Sequence, residues 1–526
     1  MLFNSPEFLL VFLPIVLVGY YALSFKVHAK LGAGFLVLTS LFFYGWWEPV
    51  YLLLIMVSIL FNFVMARVIT AWPRPSAVAK PLLIVSITAN LGTLAFFKYA
   101  NFFIESFSAL SGQSFNSLTI ILPLAISFFT FQQIAFLVDV YRNQANEADL
   151  LTYSLFVTFF PQLIAGPIVH HGEMMGQFKK AVSRGKPLWD NLAVGLTIIA
   201  MGLFKKVILA EKMAFWSDRV FNTAYMGGSP SFIEAWVGVI CFTFQIYFDF
   251  SGYSDIAIGL ARLFGIRLPL NFDSPYKATN IVDFWRRWHI TLSRFLRDYI
   301  YFPLGGNRKG RIRRYVNLMT VMALGGLWHG AGWTFIMWGV LHGLYLAINH
   351  LWWAVTGSRK KYEDRRTGQM YRWFGRAVTL AAVALSWTLF RASSLESALN
   401  MYKGLFTLNG VVLPPHYKTI LGYWAETASQ IGIRFDAVPT YGGGMQIVWI
   451  VAVLIIVWFF PSTQELMHKY EPALDFDASR SPKVMGIHFP AWRPSFMLGI
   501  LCGAVVLSLT IKLLQGQTGE FIYFQF

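Results

Sequence analysis

A chain of 526 residues of which 56% are hydrophobic and only 13% are charged is too apolar for a soluble multidomain protein, because soluble domains carry about 25% charged residues. The net charge of +17 does not indicate nucleic-acid binding, since the basic residues cluster between apolar segments, where they orient membrane helices. The composition predicts a polytopic membrane protein. Without charged linkers or internal repeats, we expect a single domain over residues 1–526.

Apolar segments of roughly membrane-spanning length follow one another along the chain, and we count eleven to thirteen membrane segments in an all-α fold. The segment Phe232–Leu263 contains the polar run DFSGYSD, which predicts two pieces or a broken helix. The segments are Pro6–Leu23, Leu31–Trp47, Val50–Ile69, Pro81–Ile104, Leu118–Val140, Leu151–Val169, Leu192–Ala210, Phe232–Leu263, Trp333–Trp353, Ala377–Phe390, Ile447–Phe460 and Phe496–Leu514.

Three basic clusters predict the cytoplasmic face, because lysine and arginine are retained on that side of a membrane. The clusters are Lys179, Lys180, Arg184 and Lys186; Arg308, Lys309, Arg311, Arg313 and Arg314; and Arg359, Lys360, Lys361, Arg365, Arg366, Arg372 and Arg376.

The region Leu395–Tyr441 is the best candidate for a loop on the other side. Within it Leu395, Leu399, Tyr402 and Phe406 recur at helical spacing, behind a capping-box pattern of Ser393 and Glu396. The pattern fits an amphipathic helix on the membrane surface or a small helix packed against the bundle.

The stretch from Asp283 to His342 carries the candidate chemistry. Between the second and third basic clusters, Tyr315–Leu327 has only 13 residues, so a helix there would enter the membrane to a depth of about 20 Å and return. Glycines follow it, and we expect His329 to lie deep in the membrane on irregular backbone.

Three histidines of this stretch, His289, His329 and His342, lie in apolar surroundings. An ionisable residue within the membrane indicates a functional site, and a neutral imidazole suits a general base for a hydroxyl or thiol. The residues alone leave open whether His329 is such a base or a packing histidine. No metal site is predicted, because the three show no short ligand spacing such as HExxH.

The helix FWRRWHITLSRFLRDY is too polar to cross lipid and is predicted to be re-entrant or interfacial, with Arg286, His289 and Ile290 on one face. Its arginines and the second basic cluster could bind the phosphates of a nucleotide-bearing donor, or could anchor the chain on anionic lipid. We expect His289 and His329 to line one water-accessible cavity with the second cluster on its rim. The candidate donor-binding residues are Arg286, Arg287, Arg308, Lys309, Arg311, Arg313 and Arg314.

Several stretches resemble the membrane-bound O-acyltransferase family, and within it the branch that O-acetylates alginate in bacteria. They are SFFTFQQIAFLVDVYR, FFPQLIAGPI, YFDFSGYSDIAIGLARLFGIRLPLNFDSPY, FWRRWHITLSRFLRDYIYFPLGGNR, GLWHGAGWTFIMWGVLHG and the terminal FIYFQF. Together they cover nearly the whole chain.

The resemblance implies a ring of transmembrane helices, with re-entrant or interfacial helices, around a central funnel or tunnel. It implies that His329 is the catalytic histidine and that His289 takes a second motif position. It further implies transfer of acetyl groups from a cytoplasmic donor, acetyl-CoA, across the bacterial inner membrane to an exopolysaccharide such as alginate, completed by periplasmic acetyltransferase or esterase-like partners. No tightly bound cofactor is expected.

Other functions remain open at this point. The same motifs occur in systems that acetylate cellulose or transfer D-alanine to teichoic acids, so the acceptor is undetermined. A transporter or channel with a central histidine proton relay is the alternative from another class, although no inverted repeat supports it. A scaffold that assembles partner enzymes is the third.

Overall fold

The computed structural model describes residues 1–74, 76–145, 149–180, 188–357, 368–436, 444–477, 479, 482–484, 487–515 and 522. In these ranges the chain is predominantly helical with four very short strands, which confirms the all-α polytopic fold class. Arg184 and Lys186 of the first basic cluster, Arg359, Lys360, Lys361, Arg365 and Arg366 of the third, and all of the terminal FIYFQF except Ile522 lie outside the described residues.

The described residues of the first half form twelve α-helices, with π-helical turns at Phe8–Phe12, Ala95–Tyr99 and Lys205–Ala210; a further π-helical turn, Arg297–Tyr301, lies in the second half. The helices are α1 Leu13–Lys26, α2 Ala29–Gly45, α3 Tyr51–Thr70, α4 Ala79–Leu94, α5 Ala100–Ser111, α6 Ile126–Tyr141, α7 Leu150–Thr158, α8 Phe160–Leu163, α9 His171–Lys180, α10 Leu188–Phe204, α11 Glu211–Tyr225 and α12 Phe232–Leu263.

The second half adds shorter elements around the central stretch. Its helices are α13 Ile281–Trp285, α14 Ile290–Leu296, α15 Arg311–His329, α16 Trp333–Thr356, α17 Gln369–Arg391, α18 Leu395–Leu405, α19 His416–Leu421, α20 Trp424–Gln430, α21 Met445–Phe459, α22 Thr463–Leu466 and α23 Phe496–Leu514. Strands β1 Val411–Leu413 and β2 Ile433–Phe435 pair in parallel, and β3 Lys483–Val484 and β4 Ile487–His488 pair antiparallel. Single 3-10 turns lie at Pro275–Lys277 and His468–Tyr470.

Seven helical segments among the described residues are long and apolar enough to cross a membrane, and three shorter apolar helices, α2, α6 and α21, accompany them. The number of crossings, eleven to thirteen, therefore stays a prediction. The seven segments are Phe8–Lys26, Tyr51–Thr70, Ala79–Ser111, Trp189–Tyr225, Phe232–Leu263, Gln369–Arg391 and Phe496–Leu514.

Helix α12 is continuous over its 32 residues, so the predicted break at DFSGYSD is wrong. The helix does not have to break at its two carboxylates, Asp249 and Asp255, because the π-helical turn Lys205–Ala210 supplies a lysine to each of them. Lys206 pairs with the buried Asp249, and Lys205 lies 2.6 Å from Asp255. Pairing removes much of the cost of placing a charge in a membrane helix, which is what the polar run alone could not show.

Helix α18 packs one face against the bundle, as the second alternative for this segment expected; a position on the membrane surface stays a prediction, because Leu399 and Phe406 are 60% and 59% exposed. Its cap is Ser394, whose side chain accepts from the Ser397 amide, and not Ser393 as the capping-box pattern predicted. The buried face is Ala398, Met401 and Leu405. The predicted apolar stripe instead lines a groove between α16, α17 and α18, and comprises Leu395, Leu399, Tyr402 and Phe406.

The bundle has two distinct faces. Lys26, Arg67 and Arg142 lie at or just beyond the ends of α1, α3 and α6, and we call this the basic face. Because the chain reverses between successive helices, the loops formed by residues 46–50 and 112–125 lie on the other side, here called the opposite face.

Candidate functional site

Helix α15 carries His329 from the basic face toward the opposite face. The Arg142 guanidinium lies 5.7 Å from the centroid of the Tyr299 ring, which places the segment before α15 at the basic face. The helix starts at Arg311, and its 19 residues extend about 28 Å. His329 is its last residue and the chain leaves the helix at Gly330, so the expectation of irregular backbone at His329 is wrong.

The carbonyl end of α15 is capped by two neighbouring side chains of a π-helical turn. Lys98 Nζ donates to the carbonyl oxygens of Trp328 and His329 at 2.6 and 3.3 Å. The Tyr99 hydroxyl donates to the carbonyl oxygen of Leu327 at 3.0 Å. The last carbonyls of a helix lack intrahelical partners, and these bonds satisfy them inside the protein. The cap fixes the turn that holds His329.

Close packing against α16 fixes the same turn from another side. A Cβ on Gly326 would lie 2.1 Å from the Phe335 carbonyl oxygen, and a Cβ on Gly339 would lie 2.1 Å from that of Met322. Only glycine permits this approach of two helix backbones. The GGLWHG motif therefore places His329 by allowing α15 and α16 to touch.

Aromatic rings surround the His329 side chain, which is 4% exposed. Its ring contacts those of Trp338 and Phe390 at centroid distances of 5.2 and 5.3 Å in edge-on geometry. Trp328 contacts it at 5.0 Å. Such a shell excludes water from most of the imidazole and leaves it in a medium of low polarity, which disfavours its charged form.

His289 lies at the break between α13 and α14, with φ 41° and ψ 55°. The prediction that Arg286, His289 and Ile290 share a helix face is therefore wrong. The break lets Asn271 cap α14: its carbonyl oxygen accepts from the Ile290 amide at 3.0 Å. Its side-chain oxygen accepts from the amide of Thr291 at 3.4 Å. These bonds to a distant residue offset the strain of a left-handed histidine.

The same asparagine sets the tautomer of His289. The Thr291 hydroxyl accepts from the Ile168 amide at 3.0 Å, so its proton goes to Asn271 Oδ1 at 2.9 Å. Asn271 Oδ1 is thus an acceptor, and it faces His289 Nδ1 at 3.1 Å. His289 must donate from Nδ1, which leaves Nε2 as the basic nitrogen of the neutral ring. Nε2 has no hydrogen-bond partner among the described residues.

The structure brings the two predicted histidines together. The ring centroids of His289 and His329 are 6.2 Å apart, and the indole of Trp328 lies 5.9 Å from His289. The pair can accept, hold and release a proton, which is what general-base chemistry requires.

A cavity of about 130 Å³ adjoins His329. It is roomy and polar enough for water, and it lies toward the opposite face because residues of both opposite-face loops line it. His289 is fully buried and does not line this cavity, and the second basic cluster is at the other end of α15, so a single cavity shared by both histidines stays a prediction. The lining is Trp47, Lys98, residues 122–128, Ile164, Ala165, Trp328 and His329.

His342 and His329 both contact the ring of Trp338, from different sides. His342 is fully buried, and its ring lies 4.8 Å from that of Trp338, which separates it from His329. The Ser386 hydroxyl donates to the Val383 carbonyl oxygen and lies 2.8 Å from His342 Nε2. Since the Ser386 hydroxyl proton already goes to the Val383 carbonyl oxygen, His342 donates its Nε2 proton to the Ser386 oxygen. His342 does not line the cavity, and packing accounts for its position.

The candidate donor-binding residues divide into two groups. Arg287 is held by acids: its Nε donates to Asp283 at 2.8 Å, and its guanidinium lies 3.8 Å from the Asp273 carboxylate. Arg286 is exposed. The second basic cluster surrounds the start of α15 at the basic face, where four of its residues are exposed and Arg314 is half-buried; the exposed ones are Arg308, Lys309, Arg311 and Arg313.

Sequence reasoning did not single out Lys98 and Asn271. A signal for Lys98 existed, because it is a lone charge within the apolar run Pro81–Ile104. None existed for Asn271, whose role depends on a break at His289. Among the described residues, no group of three His, Cys, Asp or Glu side chains could hold a metal ion.

Comparisons with known proteins add independent findings. The family model of the membrane-bound O-acyltransferase family matches residues 140–380, which include both histidines. A peptidoglycan O-acetyltransferase of Helicobacter pylori is 46% identical over 439 residues, covering 78% of this chain and 81% of the relative. A probable alginate O-acetylase AlgI of Pseudomonas aeruginosa is 38% identical over 412 residues, covering 77% and 75%. A teichoic acid D-alanyltransferase of Streptococcus thermophilus is 26% identical over 285 residues, covering 51% and 68%.

Proposed function

Because the chain belongs to the membrane-bound O-acyltransferase family and is a membrane-embedded acyltransferase, we propose that it transfers acetyl groups from a cytoplasmic thioester donor to a hydroxyl of an extracytoplasmic polysaccharide. The observation that carries this proposal is the pair of His289 and His329, 6.2 Å apart in an aromatic layer, with His329 lining a cavity toward the opposite face. The family membership confirms the resemblance and removes the ground for the transporter alternative.

In the proposed reaction His329 is the general base. It takes the proton of the acceptor hydroxyl as the oxygen attacks the thioester carbonyl, and it returns the proton to the departing thiolate. His289 lies behind it, with its basic nitrogen set by Asn271, and stabilises the proton that His329 receives. The donor we propose is acetyl-CoA, which enters from the basic face, taken as cytoplasmic by the positive-inside rule.

The acceptor is proposed from the relatives. The two relatives described above that exceed 35% identity are named for O-acetylation of peptidoglycan and of alginate, so a hydroxyl of a cell-envelope or secreted polysaccharide is the class we propose. Direct transfer and transfer through a periplasmic acetyltransferase or esterase-like partner both fit a cavity on the opposite face. The membrane we propose is the bacterial inner membrane, where acetyl-CoA is available on one side only.

The experiment is acetyl transfer by the purified chain reconstituted in liposomes, with radiolabelled acetyl-CoA and a soluble oligosaccharide acceptor. His329→Ala should lose about 100-fold or more in turnover, the range for removal of a general base. His416→Ala is the matched control, because His416 is exposed on α19. If His329→Ala acetylated the acceptor as fast as His416→Ala, His329 would not be the base.

A further inference from the structure

Lys98 brings a basic amino group to the cavity beside His329. It lies within the membrane-spanning segment Ala79–Ser111, and its Nζ contacts the carbonyl oxygens of Trp328 and His329 and, at 3.5 Å, the Ser127 hydroxyl. All three are neutral, and Lys98 has no ion pair with a carboxylate in the described ranges. Charges inside a membrane protein are normally paired, so an ammonium against neutral oxygens is an unusual and costly placement.

The N-terminus of α6 adds to the positive character of the same cavity. Ala125 precedes this 16-residue helix with φ 60°, a left-handed conformation that a non-glycine residue adopts only under strain. No side chain caps the helix, and Ala125, Ile126 and Ser127 line the cavity. The amides of Ile126 and Phe128 donate to the carbonyl oxygens of Pro123 and Ala125, so the helix contributes its dipole, which favours negative charge at this end. The cavity lining contains no Asp or Glu.

Two features that favour an anion thus converge beside His329, and the reaction generates one there. We propose that Lys98 is a catalytic residue whose ammonium, with the N-terminus of α6, stabilises the oxyanion formed during acyl transfer; this role rests on the proposed function. Groups placed where charge develops in a transition state are among the largest contributors to catalysis.

The acceptor oxygen forms a bond to the thioester carbonyl carbon while its proton passes to His329, and the carbonyl electron pair moves to the oxygen. Lys98 donates to that oxyanion the N–H that otherwise faces the Ser127 hydroxyl at 3.5 Å, and keeps its two bonds to the end of α15. The pair then returns, the carbon–sulfur bond breaks, and the leaving thiolate takes the proton from His329. The products are the acetyl ester and the free thiol.

A purely structural role for Lys98 would be to cap α15. Tyr99, which also caps α15, serves as the comparison for that role. Tyr99 donates to the Leu327 carbonyl oxygen from the same π-helical turn, yet it does not line the cavity. Tyr99→Phe removes one cap bond and leaves the cavity unchanged. Lys98→Met removes the cap bonds and the charge, with a side chain of similar length.

The experiment measures kcat and KM of Lys98→Met, Lys98→Arg, Tyr99→Phe and Lys80→Met in the liposome assay, with the midpoint of thermal unfolding as a check on folding. Lys80 is exposed at the other end of the same segment. Lys98→Met should lose about 100-fold in kcat with little change in KM. Lys98→Arg should recover at least part of it, Tyr99→Phe should lose far less, and Lys80→Met should match the wild type.

Four results would overturn the role of Lys98. Equal kcat in folded Lys98→Met and Tyr99→Phe would reduce it to a cap. A rise confined to the acceptor KM would make it a binding site for an anion of the acceptor. If the wild type itself formed no product, the proposed function would fail and the role of Lys98 with it; an active wild type with an active Lys98→Met would refute Lys98 alone.

Discussion

The imidazole rings of His289 and His329 lie 6.2 Å apart although one belongs to a helix break and the other to a helix end. Each is fixed by a residue far away in sequence: Asn271 bonds His289, and Lys98 caps the helix that ends at His329. The ring of His289 and the backbone that carries His329 are thereby held by bonds that their own helices do not supply. This matters because proton transfer depends steeply on geometry.

Asn271→Ala should lower kcat with little change in the KM of either substrate. The variant leaves Nδ1 of His289 without its acceptor, so the ring can rotate or change tautomer and no longer supports His329. We expect a loss of about 100-fold, the lower part of the range for acid–base groups. Steady-state kinetics in liposomes would measure it.

Asn62→Ala is the matched control for this variant. Asn62 is also fully buried, and it bonds Asn90 at 3.1 Å between α3 and α4, away from both histidines. Both variants should lower the unfolding temperature, but only Asn271→Ala should lower kcat. Equal kcat in the two would show that Asn271 serves stability alone.

Neutralising the exposed basic residues at the start of α15 should raise the donor KM. Arg311→Gln with Arg313→Gln removes charges that face the basic side, and added salt should mimic the effect because such contacts are screened over about 10 Å at 0.1 M. The kcat should change little, since phosphate contacts are similar in ground and transition states. A donor KM equal to that of the wild type would leave these residues only an orienting role.

Arg287→Gln should behave differently from that double variant. Its guanidinium already pairs with Asp283 and Asp273, so its loss leaves two acids half-buried and without their arginine. We expect a lower unfolding temperature and an unchanged donor KM. If its donor KM rose as much as that of Arg311→Gln with Arg313→Gln, Arg287 would belong to the donor site.

Breaking the Lys206–Asp249 pair should destabilise the protein strongly. Both side chains are buried, and Asp249 also accepts from the Ile522 amide at 2.9 Å. Lys206→Met leaves an uncompensated buried carboxylate, which typically costs about 3–5 kcal/mol. Thermal unfolding in detergent would show it, and Lys206→Met with Asp249→Leu should recover much of the loss. No recovery would mean that the lysine acts through other contacts.

Much of the fold could be predicted because membrane helices are recognised by length and apolarity alone. The apolar run Pro81–Ile104 corresponds to the helical segment Ala79–Ser111, and Val50–Ile69 corresponds to Tyr51–Thr70. The prediction failed where pairing decides the outcome. The run DFSGYSD suggested a break, and α12 continues because Lys205 and Lys206 reach its carboxylates from another segment.

The candidate site was predictable in its residues and not in its geometry. His289 and His329 were identified from motifs, and the structure brings them together. The spacing predicted that His289 lies on a helix face. The helix is instead interrupted at His289, where the Ile290 amide donates to the carbonyl oxygen of Asn271, a residue outside that helix. Lys98, which caps the helix that ends at His329, comes from the π-helical turn before α5. Asn271, which bonds His289, comes from the segment after α12. Only the tertiary fold brings these residues to the histidines.

The central claim is that the acyl group enters at the basic face and leaves through the cavity at the opposite face. The direct measurement uses liposomes in which labelling of Arg311→Cys and Ser117→Cys, in a Cys502→Ser background, establishes one orientation. Acetyl-CoA is supplied only on the side of Arg311, and acceptor is present on both sides. We expect acetylated acceptor only in the compartment that Ser117 faces; product confined to the compartment of the donor would show that the acyl group does not cross.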